Sequence, residues 1–478
     1  MANVSTPKLS LLDFARRIPK VELHAHLHGC IRPATLRDLA AARGIAMSAE
    51  QQRVLSPDGE RSLSDCFKIF DTIHTVVSDL PAVRRVALEA LQDMRSNNVR
   101  YAELRTTPRP LADGTSRRDY IENVLQVFRD FEINQAARAP DVSRDGASSQ
   151  ESLDLGEGGS ELLPAGRLIP RLLLSVDRGK STEEAMEVAK LARELRSSEE
   201  WKLFVLGVDF SGNPTKGSFE AFRPAFELAR SSGLKVTVHC GEVSDDADVL
   251  SVIAFRPERV GHAVVLGEEV RQALLSLSPQ IPIEVCPTSN LLTLALSHHG
   301  EHPTVRGWIE AGYPFSVNTD DSGVFDTDLP TEFAHLATSN DMDEGQMARL
   351  ACRAVQVQDE EPRQNVLQYE LLHCADECFN SRERATKVCA RVCPAALDEA
   401  VPNVDGGSMR HSAAPTRLGC SPSMHVSLMY ILSTIRLLVD GASCSPTHAD
   451  FACYPYGNSA HGSNEWADCG RSERLSEI

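Results

Sequence analysis

The sequence predicts an alternating α/β protein that folds as a TIM-type (β/α)8 barrel. Eight short β-branched or aliphatic runs recur between residues 21 and 318, and amphipathic stretches separate them. No glycine-rich phosphate loop follows the first run, which disfavours the alternative of a doubly wound open sheet. In a barrel, we expect the functional residues at the carboxyl ends of the strands.

Each predicted strand is a short apolar run, and each predicted helix has apolar residues at helical spacing. The predicted strands are Val21–His26, Val99–Leu104, Arg171–Val176, Phe204–Asp209, Lys235–Val238, Arg259–Gly261, Ile281–Val285 and Pro314–Asn318. The clearest predicted helices are Leu80–Asn97, Thr182–Leu195, Phe219–Ser232 and His302–Ala311. The order of strand and then helix is typical of a parallel barrel.

Two segments depart from this alternation. Residues 137–166 are rich in Ser, Gly, Asp and Glu, which predicts a disordered insertion between a helix and the third strand. The alternation stops at residue 358, and the last 121 residues hold eight of the 13 cysteines. We therefore predict a barrel domain at residues 1–357 and a poorly ordered, Cys-rich C-terminal extension at 358–478.

The extension leaves several interpretations open. Cys374 and Cys378, like Cys389 and Cys393, are four residues apart, so each pair would share one face of a helix. Such pairs could hold a metal ion or form disulfides. A disordered extension, or an altered reading of the end of the gene, explains the same composition.

Charge and composition restrict the partners. Lys and Arg number 49 against 67 Asp and Glu, and the net charge of −18 disfavours nucleic acid and anionic membranes. Residues 1–20 lack a signal-peptide pattern, and no window reaches the length of an apolar membrane span. We therefore expect a cytoplasmic monomer, with reduced thiols in its barrel domain, that acts on a small molecule.

The strongest chemical signal is His24-Ala25-His26 at the end of the first strand. Residues two apart on a strand point to the same side, so both imidazoles can reach one metal ion at the barrel mouth. Three other strand ends deliver His, Glu or Asp, namely His239–Glu242, Gly261–His262 and Asn318–Asp321. Their convergence predicts a metal-dependent active site.

In order and spacing, four motifs resemble those of the adenosine/AMP deaminase family of zinc amidohydrolases. They are Lys20–Leu27, Thr237–Glu242, Gly261–His262 and Asn318–Asp321, and the resemblance runs from about residue 10 to 357. It implies the metal-dependent amidohydrolase type of TIM barrel. It also implies one zinc ion per chain, held by His24, His26, His239 and Asp320.

The resemblance also implies a mechanism. Zinc lowers the pKa of its water toward neutrality, which supplies hydroxide to attack C6 of a purine. Glu242 would protonate N1, and His262 would be the general base and orienter beside the water. Asp321 would share a hydrogen bond with N7, and the backbone of Gly212 would meet N3.

The substrate is expected to be a nucleotide. Ordinary adenosine deaminases have an Asp where this chain has His28, and a carboxylate there would repel a 5′-phosphate. The chain resembles the branch of the family that converts N6-methyl-AMP to IMP and methylamine, although that branch usually has Asn at this position. By this resemblance, the residues contacting the nucleotide are His26, His28, His74, Thr106, Thr107, Pro108, Arg109 and Asp177. Thr106 to Arg109 would cradle the phosphate, or would merely be a strand exit with a solvent-facing Arg.

Other functions remain open at this point. Adenosine deamination is the alternative reaction, and a catalytically silent barrel that binds a partner through its extension is the alternative class of protein. Two acidic residues also have purely structural interpretations. Glu103 could pair with Arg105 inside the barrel, and Asp209 could cap a helix.

Overall fold

The predicted barrel is confirmed by the computed structural model, which describes residues 10–54, 63–138 and 166–357. Within these ranges the strands pair in parallel in one sheet, in chain order. The strands are β1 (Lys20–His26), β2 (Val99–Thr106), β3 (Ile169–Asp177), β4 (Val205–Ser211), β5 (Lys235–Cys240), β6 (Arg259–His262), β7 (Ile283–Val285) and β8 (Phe315–Val317).

Backbone hydrogen bonds join the last strand to the first. The His26 N–H donates to the Asp320 carbonyl at 2.9 Å, and the Asp320 N–H donates to the His24 carbonyl at 2.9 Å. Ala25 and Asp320 form the corresponding parallel bridge. Since these bonds connect the two ends of the sheet, the doubly wound alternative is wrong.

Helices cover the outside of the sheet. In chain order they are α1 (Leu11–Arg17), α2 (Pro33–Ala42), α3 (Ala49–Val54), α4 (Leu63–Val76), α5 (Leu80–Ser96), α6 (Arg117–Arg138), α7 (Thr182–Ser197), α8 (Phe219–Ser231), α9 (Asp246–Phe255), α10 (Glu268–Ser276), α11 (Pro287–Thr293), α12 (Val305–Ala311), α13 (Ser322–Phe325), α14 (Leu329–Ser339) and α15 (Glu344–Val357). A short 3-10 helix, His299–Glu301, precedes α12.

Local sequence explains where these helices begin. Asp79, Ser181 and Asp245 are the N-cap residues of α5, α7 and α9, and each side chain accepts a backbone N–H from the first turn. In α5 the apolar residues Val83, Val86, Ala87, Ala90 and Leu91 share the buried face. This amphipathic pattern is what the sequence analysis detected.

The predicted element ends either coincide with the observed ones or differ from them by at most three residues. The largest difference is in α12, which begins at Val305 and not at His302. The His302 ring explains it, because its Nδ1 accepts the backbone N–H groups of Thr304 (3.5 Å) and Val305 (3.4 Å). His302 therefore lies before the helix and satisfies two of its free donors.

Buried charges fill the barrel interior, and both structural interpretations of its acidic residues are wrong. Glu103 accepts hydrogen bonds from Tyr101 (2.9 Å) and Arg259, and not from Arg105. Arg105 instead contacts Asp209 and Glu284 on other strands, each at 2.9 Å. Asp209, Arg259 and Glu284 lie on β4, β6 and β7, which do not neighbour β2 in the sheet but meet it inside the closed barrel. Asp209 lies inside β4, fully buried, and is the N-cap of none of the helices that the structure describes.

Several sequence expectations fall outside the described residues. The Cys-rich extension, residues 358–478, lies entirely outside, and so do residues 139–165 of the expected insertion. Among the described residues, Cys30, Cys240 and Cys286 are buried free thiols. None of the described helices combines the length and apolar character needed to cross a membrane.

Arg259→Met tests the buried charge network. Arg259 is fully buried, and its guanidinium contacts both Glu103 and Glu284 (2.7 Å), so the variant leaves buried carboxylates without this cation. We expect the free energy of unfolding to fall by about 3–5 kcal/mol, measured by urea denaturation. Arg118→Met is the control, because Arg118 pairs with Glu122 and Glu194 at the surface and should cost less than about 1 kcal/mol. Equal losses in the two variants would contradict the role of the network.

Candidate active site

The four predicted metal ligands meet at the carboxyl end of the barrel. His24 and His26 come from β1, His239 from β5, and Asp320 follows β8. One donor atom from each lies within 4.8 Å of all the others. His26 Nε2 is 3.0 Å from His239 Nε2, and Asp320 Oδ1 is 3.3 Å from the Nε2 atoms of both His24 and His26. This clustering needs an ion or a proton between the groups.

The donor set fits a metal ion. Three imidazole nitrogens and one carboxylate oxygen are typical ligands of zinc. The Nε2 atom of His24 is buried and has no hydrogen bond within the described ranges, as expected of a nitrogen reserved for a metal. Gly261 makes room for this ring, because a Cβ there would lie 2.8 Å from His24 Cε1.

Two buried carboxylates support the imidazoles from behind. Glu284 Oε2 lies 2.6 Å from His24 Nδ1, and Asp209 Oδ1 lies 3.1 Å from His239 Nδ1. These contacts favour a proton on each Nδ1, which leaves Nε2 free to bind a metal. Burial raises the pKa of each carboxyl, but Arg105 acts with Arg259 and His24 at Glu284, and with His239 and His26 at Asp209, to hold both pKa values well below the usual range. Both carboxylates are therefore anionic.

Glu242 and His262 face each other beside this cluster. Glu242 Oε2 lies 3.7 Å from His262 Nε2, and Glu242 Oε1 is buried with no hydrogen-bond partner in the described part of the chain. Burial raises the pKa of Glu242 and lowers that of His262 well below its usual value. Burial thus favours the neutral form of each, and a neutral carboxyl can donate a proton.

Asp320 and Asp321 take up unusual positions after β8. Asp320 has a φ of 61°, in the left-handed region, which turns its carboxylate toward the histidines. Asp321 Oδ1 is buried and has no hydrogen bond among the described residues. Burial and the neighbouring Asp320 raise the pKa of Asp321 well above its usual value. Gly29 permits this packing, because a Cβ there would lie 1.7 Å from Asp321 Oδ1.

A cavity of about 530 Å³ opens above these groups, large enough for a small ligand. Of the predicted site residues, it is lined by His26, His28, His74, Thr106, Thr107, Arg109, Asp177, Gly212, His239, Glu242, His262, Asp320 and Asp321. Two predicted residues are absent from its wall. His24 is fully buried beneath it, and Pro108 is buried beside it.

Basic side chains also line the cavity, together with the acidic residues Asp71 and Asp177. His28 Nε2 lies 3.2 Å from the Tyr120 hydroxyl, which lies 2.6 Å from Thr106 Oγ1. Arg109 donates from Nη2 to the Val77 carbonyl at 2.6 Å and from Nη1 to that of His74 at 3.4 Å. The phosphate cradle predicted from the sequence therefore has part of its hydrogen-bonding capacity already used.

Two lysines that the sequence analysis missed also line the cavity. Lys180 follows β3 and Lys216 follows β4, and both side chains are exposed. Neither forms an ion pair with any residue that the structure describes. Lys180 closely follows Asp177 in the sequence, and Lys216 closely follows Gly212. The available signal was therefore their nearness to two residues already predicted to contact the nucleotide.

The sequence analysis also missed the residues behind the catalytic candidates. Ser289 Oγ donates to Asp320 Oδ2 at 2.7 Å, and Asn290 Nδ2 lies 3.1 Å from His262 Nδ1. Both belong to α11, which directly follows β7. The polar run Thr288-Ser289-Asn290 after the seventh strand was the available signal, because the other site motifs lie at or just after the carboxyl ends of strands.

Comparisons with known proteins agree with this geometry. The sequence profile of the adenosine deaminase family matches residues 19–368. An N6-mAMP deaminase of Arabidopsis thaliana is 36% identical over 360 residues, which are 74% of this chain and 96% of the relative. The human N6-Methyl-AMP deaminase is 30% identical over 349 residues, 72% of this chain and 89% of the relative.

Solved structures show the same likeness. The crystal structure of Arabidopsis N6-mAMP deaminase aligns with a TM-score of 0.63 at 34% identity, over 75% of this chain and 99% of that chain. Arabidopsis ADAL complexed with IMP aligns with a TM-score of 0.64 at 34% identity, over 76% and 99%. From the profile match and the identity to these relatives, we conclude that the chain belongs to the adenosine deaminase family.

Proposed function

We propose that this chain hydrolyses N6-methyl-AMP to IMP and methylamine. One observation carries the proposal: the metal-donor cluster and a buried Glu242, whose pKa burial raises, share a cavity that Arg109, Lys180 and Lys216 also line. The N6-methyl-AMP deaminases of Arabidopsis and human support the choice of substrate. A similar Arabidopsis structure is complexed with IMP, the product of this reaction.

His24, His26, His239 and Asp320 would hold one zinc ion. Zinc is favoured by the donor set, and when bound it lowers the pKa of a water molecule toward neutrality, to about 7 in favourable sites. Glu284 and Asp209 contribute from behind by fixing the Nδ1 protons of two ligands. Ser289 holds the second oxygen of Asp320.

Other residues of the chain transfer the proton to N1, orient the attacking water and hold the purine ring. The oxygen of water forms a bond to C6 and the C6–N6 bond breaks; one water proton ends on N1 and the other on methylamine. Glu242 donates the proton to N1, since its burial favours the carboxylic acid. Asp321 shares a hydrogen bond with N7, and His262 orients the attacking water. Gly212, with a φ of 100°, offers its backbone to N3.

The phosphate would lie beside the basic residues Arg109, Lys180 and Lys216 of the cavity wall. Burial, with His74 and Arg109, lowers the pKa of His28 well below its usual value, so the imidazole is neutral and still has one N–H to donate. Thr107, Lys180 and Lys216 lie on the same wall. The neutral imidazole of His28 can donate a hydrogen bond to a phosphate there, whereas a carboxylate would repel the phosphate.

Product analysis tests the proposed reaction directly. The full chain, purified with bound zinc quantified, is incubated with N6-methyl-AMP, AMP and adenosine in parallel. We expect IMP and methylamine from N6-methyl-AMP at the highest kcat/KM. Turnover of adenosine alone would favour the alternative of a nucleoside deaminase. Retained zinc without any turnover would favour the silent barrel.

Glu242→Gln tests whether Glu242 is the acid that protonates N1. The amide keeps the size of the side chain but cannot supply a proton, so we expect kcat to fall by about 100-fold or more. Zinc content should stay at that of the wild type, because Glu242 is outside the four-donor cluster. Glu269→Gln, an exposed change on α10, is the control for the chemistry of the substitution. A Glu242 variant that keeps more than a tenth of the activity would rule out this role.

His28→Asp tests the phosphate end. The added carboxylate should lower kcat/KM for N6-methyl-AMP at least about tenfold more than for N6-methyladenosine, because only the nucleotide is anionic. Tyr120→Phe is the matched control, since it removes the hydroxyl that contacts His28 without adding charge. It should affect both substrates alike. An equal loss on both substrates in His28→Asp would place the phosphate elsewhere.

A further inference from the structure

A chain of hydrogen bonds runs from the backbone at the start of α12 to His262. Its first link is His302, whose Nδ1 faces the backbone N–H groups of Thr304 and Val305 at 3.5 and 3.4 Å. A backbone N–H can only donate, so His302 Nδ1 is an acceptor and carries no proton. In its neutral form, His302 therefore has its proton on Nε2.

The second link fixes the orientation of Asn290. His302 Nε2 lies 3.1 Å from Asn290 Oδ1. Since His302 Nε2–H is a donor, it requires the amide oxygen opposite it, and a flipped amide would place two donors together. The amide nitrogen of Asn290 is thereby directed to its other neighbour, His262.

The third link sets the proton on His262. Asn290 Nδ2 lies 3.1 Å from His262 Nδ1 and can only donate to it. The Nδ1 atom is therefore unprotonated, and a neutral His262 ring carries its proton on Nε2. That atom faces the site, 3.7 Å from Glu242 Oε2 and 3.9 Å from Asp320 Oδ2.

We propose that Asn290 and His302 are positioning residues, which hold His262 in the Nε2–H tautomer so that it donates a hydrogen bond to the attacking water. His262 is then not the general base that the sequence resemblance implies, because its only free lone pair faces Asn290. This inference rests on the proposed deaminase function and specifies how the nucleophile is oriented.

The proton balance follows from this assignment. His262 keeps its Nε2 proton throughout, so another group takes the proton that water loses as its oxygen bonds to C6. Glu242, beside His262, first donates its proton to N1, and the carboxylate that results takes the proton from water. The second water proton leaves with methylamine. No oxidant, reductant or further reactant is needed.

The tautomer can be measured without turnover. Long-range ¹H–¹⁵N spectra of the full, zinc-loaded chain labelled with [¹⁵N]histidine report which ring nitrogen carries the proton. The His262→Gln spectrum identifies the His262 signals among the 15 histidines. We expect His262 Nδ1 to show the shift of an unprotonated nitrogen. A protonated Nδ1 in a neutral ring would overturn the proposal, whether or not the enzyme is active.

Asn290→Asp reverses the polarity of the central link. The carboxylate keeps the shape and still accepts from His302, but it cannot donate to His262. We expect His262 Nδ1 to become protonated in the same spectra. Asn340→Asp is the matched control, because Asn340 donates to the Leu336 carbonyl outside the cavity. Unchanged His262 chemical shifts in Asn290→Asp would overturn the proposed relay, which is the hydrogen-bond chain from His302 through Asn290 to His262.

His302 offers a rescue test. Gln can accept the backbone N–H groups and donate to Asn290 as His302 does, whereas Leu can do neither. We expect His302→Leu to lower kcat about tenfold with KM changed less than threefold, and His302→Gln to restore most of kcat. His335→Leu is the control, because His335 stacks on His299, with ring centroids 4.2 Å apart, outside the relay. Equal kcat values in the Leu and Gln variants of His302 would overturn the proposal.

These readouts separate this inference from the proposed function. If N6-methyl-AMP is not turned over but the wild-type and Asn290→Asp spectra behave as expected, the relay stands and the substrate assignment fails. If N6-methyl-AMP is turned over while His262 Nδ1 is protonated, the substrate assignment stands and the proposed positioning of His262 fails. Zinc content and thermal stability, measured in every variant, show whether a loss of kcat reflects a damaged site.

Discussion

The active site depends on one buried cation, Arg105. It is fully buried and contacts Asp209 and Glu284, and these two carboxylates lie against the Nδ1 atoms of His239 and His24. Without cations beside them, two buried carboxylates would take up protons and lose their hold on the imidazoles. Arg105 contacts both carboxylates and Arg259 also contacts Glu284, so the orientation of two proposed metal ligands follows from buried charges in the barrel interior. The stability of the barrel and the geometry of the donor cluster therefore rest on the same interaction.

Closure of the barrel adds a second constraint. The backbone of Asp320 pairs with β1 on both sides, at the His24 carbonyl and the His26 N–H. The residue that joins the last strand to the first thus also supplies the carboxylate of the cluster. Its left-handed φ of 61° is held by these bonds. A shift of β8 along β1 would separate Asp320 from both histidines, so strand register and metal-donor geometry are one feature of the fold.

The sequence predicted the barrel and its site motifs because each motif directly follows or ends an apolar run, as in His24–His26 and Asn318–Asp321. It did not predict the partners of buried charges, because Arg105 meets Glu284, and Glu103 meets Arg259, across strands far apart in sequence. Asn290 and Ser289 were missed for a related reason. Their polar side chains suit a helix start equally well, and only the position of α11 beside His262 and Asp320 shows what they contact.

The distribution of charge in the cavity explains how an acidic protein can take an anionic ligand. The net charge of −18 opposes a nucleotide at long range, but screening limits that field to about 8 Å in physiological salt. The cations Arg109, Lys180 and Lys216 share the cavity wall with the acidic residues Asp71, Asp177, Glu242 and Asp321. Burial raises the pKa of Glu242, and burial with the neighbouring Asp320 raises that of Asp321, so these two carboxyls oppose an anion less than ionised ones would. In the proposed function, binding of the phosphate therefore depends on the three cations of the cavity wall and not on the net charge of the chain.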